Sequence, residues 1–213
     1  MRLAEIWRYP VKSMAGERLD AAELRTDGIE GDRVVQAWDP RGRIVTARTR
    51  PGLLGHLGTI GADGVPLVDG LPWADPEVTR RVEAAAGQGT RLRRFDGKER
   101  FDVLPLLVAT DGSLAAFGRD TRRLRPNLVI SGVEGLAERD WEGRALRVGQ
   151  AVVALDQLRG RCVMTTWDPD TQAQDAGVLR DIVRRFDGRL CLNAAVLKPG
   201  RVATGDEVEL LGP

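Results

Sequence analysis

Histidine and cysteine are almost missing from this chain. Its 213 residues hold one histidine, His56, and two cysteines, Cys162 and Cys191. That excludes a zinc centre of several His ligands and an all-Cys metal site. Two cysteines form neither a disulfide framework for a chain of this length nor an iron–sulfur pattern. A Ser-His-Asp triad would have to use His56, which sits in Leu54-Gly55-His56-Leu57-Gly58 with no nucleophile motif beside it, so a structural role fits it better. No Walker run and no Gly-x-Gly-x-x-Gly fingerprint is present. Nor is there an internal repeat or a low-complexity tract. No apolar run approaches a membrane span, and Met1-Arg2-Leu3-Ala4-Glu5 lacks the apolar core of a signal peptide. The expectation is a soluble cytoplasmic protein with reduced thiols.

An excess of one charge is also missing. Lys and Arg number 32 against 31 Asp and Glu, so no global field recruits nucleic acid or an anionic membrane. Aromatic residues make up 5%, with no stacking run of the kind an RNA-binding barrel uses. Lysine is scarce: Lys12, Lys98 and Lys198 are the only ones. The remaining cations are arginines, whose planar forks suit phosphate and carboxylate.

The most informative stretch is Arg161-Cys162-Val163-Met164-Thr165-Thr166-Trp167-Asp168-Pro169-Asp170-Thr171. An adjacent guanidinium favours the thiolate, the form that binds a soft metal or attacks an electrophile. Thr and Asp around a Pro favour a fixed turn that leaves the sulfur accessible. The competing reading is a buried thiol acting as a small hydrophobe.

Elsewhere the pattern is mainly β. Residues 33–38 and 43–47 flank the turn Asp39-Pro40-Arg41-Gly42 and predict a hairpin. Residues 59–60 and 65–68 flank Asp63-Gly64, a second turn signal. Further strands are expected at 92–95, 128–130, 146–148, 152–155, 192–197 and 208–211. Short strands with Gly-bearing turns argue for a barrel or barrel-like sheets. Three helices are expected. One opens at Asp75-Pro76-Glu77 and ends at Gly87, one starts near Asp111, and one runs from Asp175 to Gly188. In the last, Leu179, Ile182, Val183 and Phe186 recur at helical spacing and read as core.

The Cys162 run resembles the cofactor motif of the MOSC family, relatives of the C-terminal domain of molybdenum cofactor sulfurase. Within that family it is most similar to the branch of the mitochondrial amidoxime-reducing component and its bacterial relatives. Four other segments resemble the family in order: Tyr9-Pro10-Val11-Lys12-Ser13; Gly31-Asp32-Arg33 with Thr46-Ala47-Arg48; Arg125-Pro126-Asn127-Leu128-Val129-Ile130; and Pro199-Gly200-Arg201-Val202 with Gly205-Asp206. The resemblance implies a MOSC β-barrel over 101–213, packed with an N-terminal MOSC-associated β-domain over 1–100. It also implies a molybdenum cofactor, a pterin dithiolene holding molybdenum, with Cys162 as a protein ligand to the metal.

By the same resemblance Lys12, Ser13, Arg48, Ser113, Arg125, Asn127, Arg161, Thr166 and Asn193 bind the cofactor, and Cys162, Asp168 and Asp170 are candidate catalytic residues. Each has a plainer reading. Lys12 and Arg48 also read as solvated surface charges, Ser113 as a helix cap, Asn127 as a turn residue. Asp168 and Asp170 read equally as turn formers or as groups that order the loop or relay a proton. Two positions depart from the family pattern. Gln172 follows the Asp-Pro-Asp-Thr run where Gly is frequent, and Leu190-Cys191-Leu192-Asn193 replaces Phe-Gly-x-Asn.

The implied activity is reduction of the N–O bond of small N-hydroxylated substrates. With no cluster cysteines, electrons must come from an external donor protein: a flavoprotein, ferredoxin or cytochrome. The rival from another class is a carrier that binds the cofactor and passes it on without turnover.

Overall fold

The computed structural model describes residues 1–212. In chain order the strands are β1 (Arg2–Arg8), β2 (Glu17–Leu19), β3 (Ala21–Arg25), β4 (Gly28–Ile29), β5 (Val35–Trp38), β6 (Ile44–Val45), β7 (Gly58–Ile60), β8 (Pro66–Val68), β9 (Leu71–Pro72), β10 (Arg91–Arg94), β11 (Leu106–Thr110), β12 (Leu128–Ser131), β13 (Ala145–Val148), β14 (Ala151–Gly160), β15 (Arg189–Lys198), β16 (Gly200–Ala203) and β17 (Val208–Leu211). The α-helices are α1 (Pro76–Ala86), α2 (Asp111–Phe117) and α3 (Ala176–Phe186). The mainly β class with a few helices therefore holds.

An eight-stranded sheet in the order β17-β13-β14-β15-β11-β12-β1-β2 dominates. Its one parallel pair among the described strands is β11 with β12, joined across α2. Three small sheets, β10-β5-β6, β16-β3-β4 and β7-β8-β9, complete the fold. The boundary expected near residue 100 falls between β10 and β11, yet it does not divide the molecule in space. β1 pairs with β12, and β3 pairs with β16. One core accordingly joins Leu3, Ile6, Leu24 and Ile29 to Leu106, Leu128, Leu146 and Leu192. A second core fills the N-terminal half and takes in Met164 and Trp167 from the Cys162 loop.

The helix caps follow the sequence. Asp75 and Asp175 each accept a backbone N–H in the first turn of α1 and α3. The stripe on α3 is corrected by the packing. Val178, Ile182 and Phe186 face the core, Leu179 is half-buried, and Val183 is 57% exposed. Spacing alone allowed two neighbouring stripes, and the contact with Leu107, Leu124 and Cys191 selects the 178/182/186 face.

The two departures from the family pattern share one backbone feature. Gln172 has φ 56° and Cys191 has φ 66°, both in the left-handed region that glycine enters freely. The chain keeps the glycine conformation with larger residues, at a cost of roughly 1–2 kcal/mol each.

Candidate functional site

The ends of β14, β11 and β12 converge with the N-terminal half on one cleft with an inner volume of about 110 Å³. Its lining includes seven basic side chains, Lys12, Arg33, Arg48, Arg123, Arg125, Arg159 and Arg161, and a single carboxylate, Asp102. Cys162 lies among them. Near-neutrality of the whole chain thus hides a strong local charge separation. Cationic walls of low polarisability focus a positive field in such a cleft.

Cys162 stands in extended conformation just beyond β14, at the start of a 3₁₀ turn over Val163–Thr166. Its carbonyl accepts from the Thr165 amide at 3.0 Å and the Thr165 hydroxyl at 2.9 Å. The turn closes on itself, so the sulfur is partly exposed towards the cleft. Arg48 donates to Asp102 at 2.6 Å and lines the cleft together with Cys162. Burial works against its charge, but Asp102 and Cys162 together hold its guanidinium above the ordinary value.

Asp102 binds three of the cations at once. It accepts from Lys12 Nζ at 2.8 Å, Arg48 Nη2 at 2.6 Å and Arg159 Nη2 at 3.5 Å. Burial raises its carboxyl, and the Lys12, Arg48 and Arg159 charges overcome that and hold it below the usual carboxylate range. Arg100, 3% exposed, fixes the segment that presents it by donating to the carbonyls of Asp27, Asp32, Asp96 and Gly97. The sign of the linkage is plain. A depressed carboxyl stabilises the fold above its unfolded value of about 3.9 and loses that contribution as pH falls through the lower folded value. We expect Asp102→Asn to lower the denaturation midpoint at pH 7, and the gap to wild type to close on acidification below about pH 4; denaturant titrations across pH measure it.

The inner wall has a different character. Arg125 lies over the Tyr9 ring, 4.2 Å from its centroid, and its guanidinium makes no hydrogen bond or ion pair among the described residues. Burial lowers it to about 10. Arg33 lies over the same ring at 5.1 Å and pairs with Asp32. Tyr9, its hydroxyl raised by burial to about 12, donates to Pro126 O at 3.0 Å and stays neutral. Arg161 donates to Leu124 O at 2.7 Å, while its Nε is buried with no partner. Ser13, 6% exposed, offers a hydroxyl unbonded among the described residues. Ser13, Arg33 and Arg125 all have left-handed backbones, with φ 73°, 57° and 56°. Strain of this kind persists where surrounding structure over-determines it, and it concentrates at functional sites.

The expected residues therefore divide. Lys12, Ser13, Arg48, Arg125, Asn127, Arg161, Cys162 and Asn193 come together in the cleft. Two of these act through others. The Asn127 amide bonds Leu107 N, Trp7 O and Asp32, and Asn193 accepts from Arg159 and donates to Gln157 O. Ser113, Thr166, Asp168 and Asp170 are not among the cleft residues. The Ser113 hydroxyl closes a capping box with Thr110, buried beside Glu138. The Thr166 hydroxyl donates to Val163 O and accepts from Gln174, facing the α3 side. Asp168 Oδ1 accepts from Asp170 N and Thr171 N, while Oδ2 holds Arg123. Asp170 binds Arg122 through both oxygens at 2.8 and 2.7 Å. These carboxylates order the loop and hold Arg122 and Arg123. Arg123, Arg159 and Asp102 belong to the cleft but carry no distinguishing sequence signal in so Arg-rich a chain; Arg33 also lines it, and its signal is the Gly31-Asp32-Arg33 segment.

Comparison with known proteins agrees with this architecture. The MOSC N-terminal beta barrel domain profile matches residues 1–93, and the MOSC domain profile matches residues 109–209. Human mitochondrial amidoxime reducing component 2 is 32% identical over 89% of this chain and 72% of its own length. Human mitochondrial amidoxime-reducing component 1 is 26% identical over 99% of this chain and 83% of its own. The YuaD protein of Bacillus subtilis shares the fold, with a TM-score of 0.55 at 14% identity, covering 100% of this chain and 96% of that one. With its N-terminal β-barrel domain, its MOSC domain and one cationic cleft built from both, the chain belongs to the MOSC family.

Proposed function

We propose that the protein holds a molybdenum cofactor in this cleft, with the Cys162 thiolate as metal ligand, and reduces N-hydroxylated compounds. The observation that carries the reading is the pairing of one accessible thiol with a cationic inner wall on which three donors have no partner among the described residues. The unpartnered Arg161 Nε, the unpaired Arg125 guanidinium and the free Ser13 hydroxyl are donors awaiting an anionic or polar ligand. A pterin cofactor ending in a phosphate fits that donor set. Relatives named as amidoxime-reducing components support the reaction class.

When bound, the cofactor supplies the two-electron redox chemistry. The chain's residues do the rest. Cys162 provides a soft ligand suited to molybdenum. Arg125, Arg161 and Ser13 hold the cofactor's polar and anionic parts. Arg33 keeps its place through Asp32 and Tyr9. Lys12, Arg48 and Arg159, gathered by Asp102, shape the outer wall where a small substrate enters. Converting an N–OH group to N–H consumes two electrons and two protons and releases water. At the outer wall Lys12 Nζ donates to Asp102 at 2.8 Å, so both side chains are held beside the entering substrate.

Arg125→Ala and Arg161→Ala test the anchoring. Removing one charged partner of a buried group costs on the order of 2–5 kcal/mol. Each variant should lose molybdenum content while its melting temperature changes little. Folded variants with wild-type molybdenum remove these residues from the site.

Electron supply tests the reaction. The chain has two cysteines and no dinucleotide fingerprint. Protein made in a host that synthesises molybdenum cofactor should do nothing to an amidoxime with NADH alone. With a reduced viologen dye it should form the parent amidine, in proportion to molybdenum content. Fully loaded protein that reduces no hydroxylamine, amidoxime or N-hydroxylated base with the dye would replace the reductase with a cofactor carrier.

A further inference from the structure

The Cys162 loop has two faces. Met164 and Cys162 line the cleft, while Val163 and Thr166 line a shallow groove on the other side of the same turn. The far bank of that groove is α3, through Ala176, Leu179 and Val183. Val183 is one of the most exposed large apolar residues described, although it sits at a helical position that spacing marks as core. The rim carries Arg180 and Arg184, and no carboxylate lines the groove. Arg180 is exposed and forms no ion pair among the described residues; Arg184 is held by Asp181 at 2.8 Å. Apolar floor and cationic rim together suit a partner with an apolar contact ringed by acidic side chains.

Resting on the reductase reading, we infer that this groove is the docking surface for a small acidic one-electron carrier. The charge is complementary to such a carrier, and the location is right for it. Val163 is the immediate neighbour of Cys162, and consecutive Cα atoms lie about 3.8 Å apart. A redox group seated against Val163 and Val183 is therefore separated from the thiol by a single turn of backbone. Apart from the loop that both border, the groove and the cleft are lined by different residues, so a carrier seated in the groove leaves the cleft lining free. Contacts of this class are small, weak and salt-sensitive.

The test uses the loaded full chain with two acidic probes, a plant-type [2Fe–2S] ferredoxin and a flavodoxin. Binding is measured by calorimetry at low and at moderate salt, in parallel with dye-driven and carrier-driven turnover. At least one probe should bind the wild type and weaken as salt rises. Arg180→Glu and Val183→Glu, both at exposed positions, should each weaken binding about tenfold, a change of about 1.4 kcal/mol. Carrier-driven turnover at sub-saturating carrier should fall to match, with dye-driven turnover unchanged. Arg41→Glu, the same charge change at the tip of the N-terminal hairpin, should leave binding intact. If neither probe binds, or both groove variants bind as wild type does, the surface is wrong while dye-driven turnover keeps the reductase reading. If the probes bind through the groove but loaded protein reduces nothing with the dye, the surface stands and the reductase reading falls.

Discussion

Cys162→Ser should reduce molybdenum-dependent turnover by on the order of a hundredfold or more and shift the metal–sulfur absorption. Even residues that only support a metal ligand typically cost 10–100-fold when changed, and a serine hydroxyl is a harder, barely ionised replacement for a thiolate. The fold should survive, because Cys162 takes part in the turn through its carbonyl, which accepts from Thr165, and serine keeps that carbonyl. Cys191→Ser makes the control. Cys191 is fully buried between Leu190 and Leu192, and burial raises its thiol to about 11, so it is neutral and inert. That variant should keep most of the activity and the absorption band while losing some stability. Full turnover in the Cys162 variant would end the ligand assignment.

Asp32→Ala should produce the largest stability loss of any single change around the cleft. Asp32 is completely buried. One carboxylate oxygen accepts from Tyr9 N at 2.7 Å, and the other takes Arg33 and the Asn127 amide. Removing one member of such a buried pair costs about 3–5 kcal/mol, because the cation is left without its counter-charge. Here the orphaned Arg33 also shares the Tyr9 ring with a second cation, Arg125. For a chain of this size that corresponds to a fall in melting temperature of roughly 10 °C. Asp32→Asn keeps an acceptor for Tyr9 N and should lie between. Equal melting curves for wild type and Asp32→Ala would mean that solvent, not Asp32, compensates Arg33.

Legibility of the fold was uneven for physical reasons. Caps and turns are local, so Asp75, Asp175 and the Asp39-Pro40-Arg41-Gly42 hairpin could be read directly. β11 could not, because Leu106–Thr110 is buried along its whole length and shows no two-residue alternation. β1 was hidden too. A bulge between Leu3 and Glu5 breaks its alternation, and its partner β12 lies more than a hundred residues away. On α3 the apolar residues marked a helix, but two adjacent stripes were available and only packing chose between them.

The site divides along the same line. Sequence by itself determined the Cys162 motif, the ordered set of family segments, the absence of cluster cysteines and the near-neutral charge. All of these follow from residue identity and short-range spacing. Tertiary structure alone decided which cations act together. Lys12, Arg48, Arg125 and Arg161 meet Arg33, Arg123 and Arg159 only because β1 is inserted into the C-terminal sheet and Asp102 draws three of the side chains to one point. It also turned Ser113, Thr166, Asp168 and Asp170 to other partners. A hydroxyl or carboxylate beside a motif binds whichever donor the fold brings within about 3 Å, and that distance depends on long-range closure that no local pattern encodes.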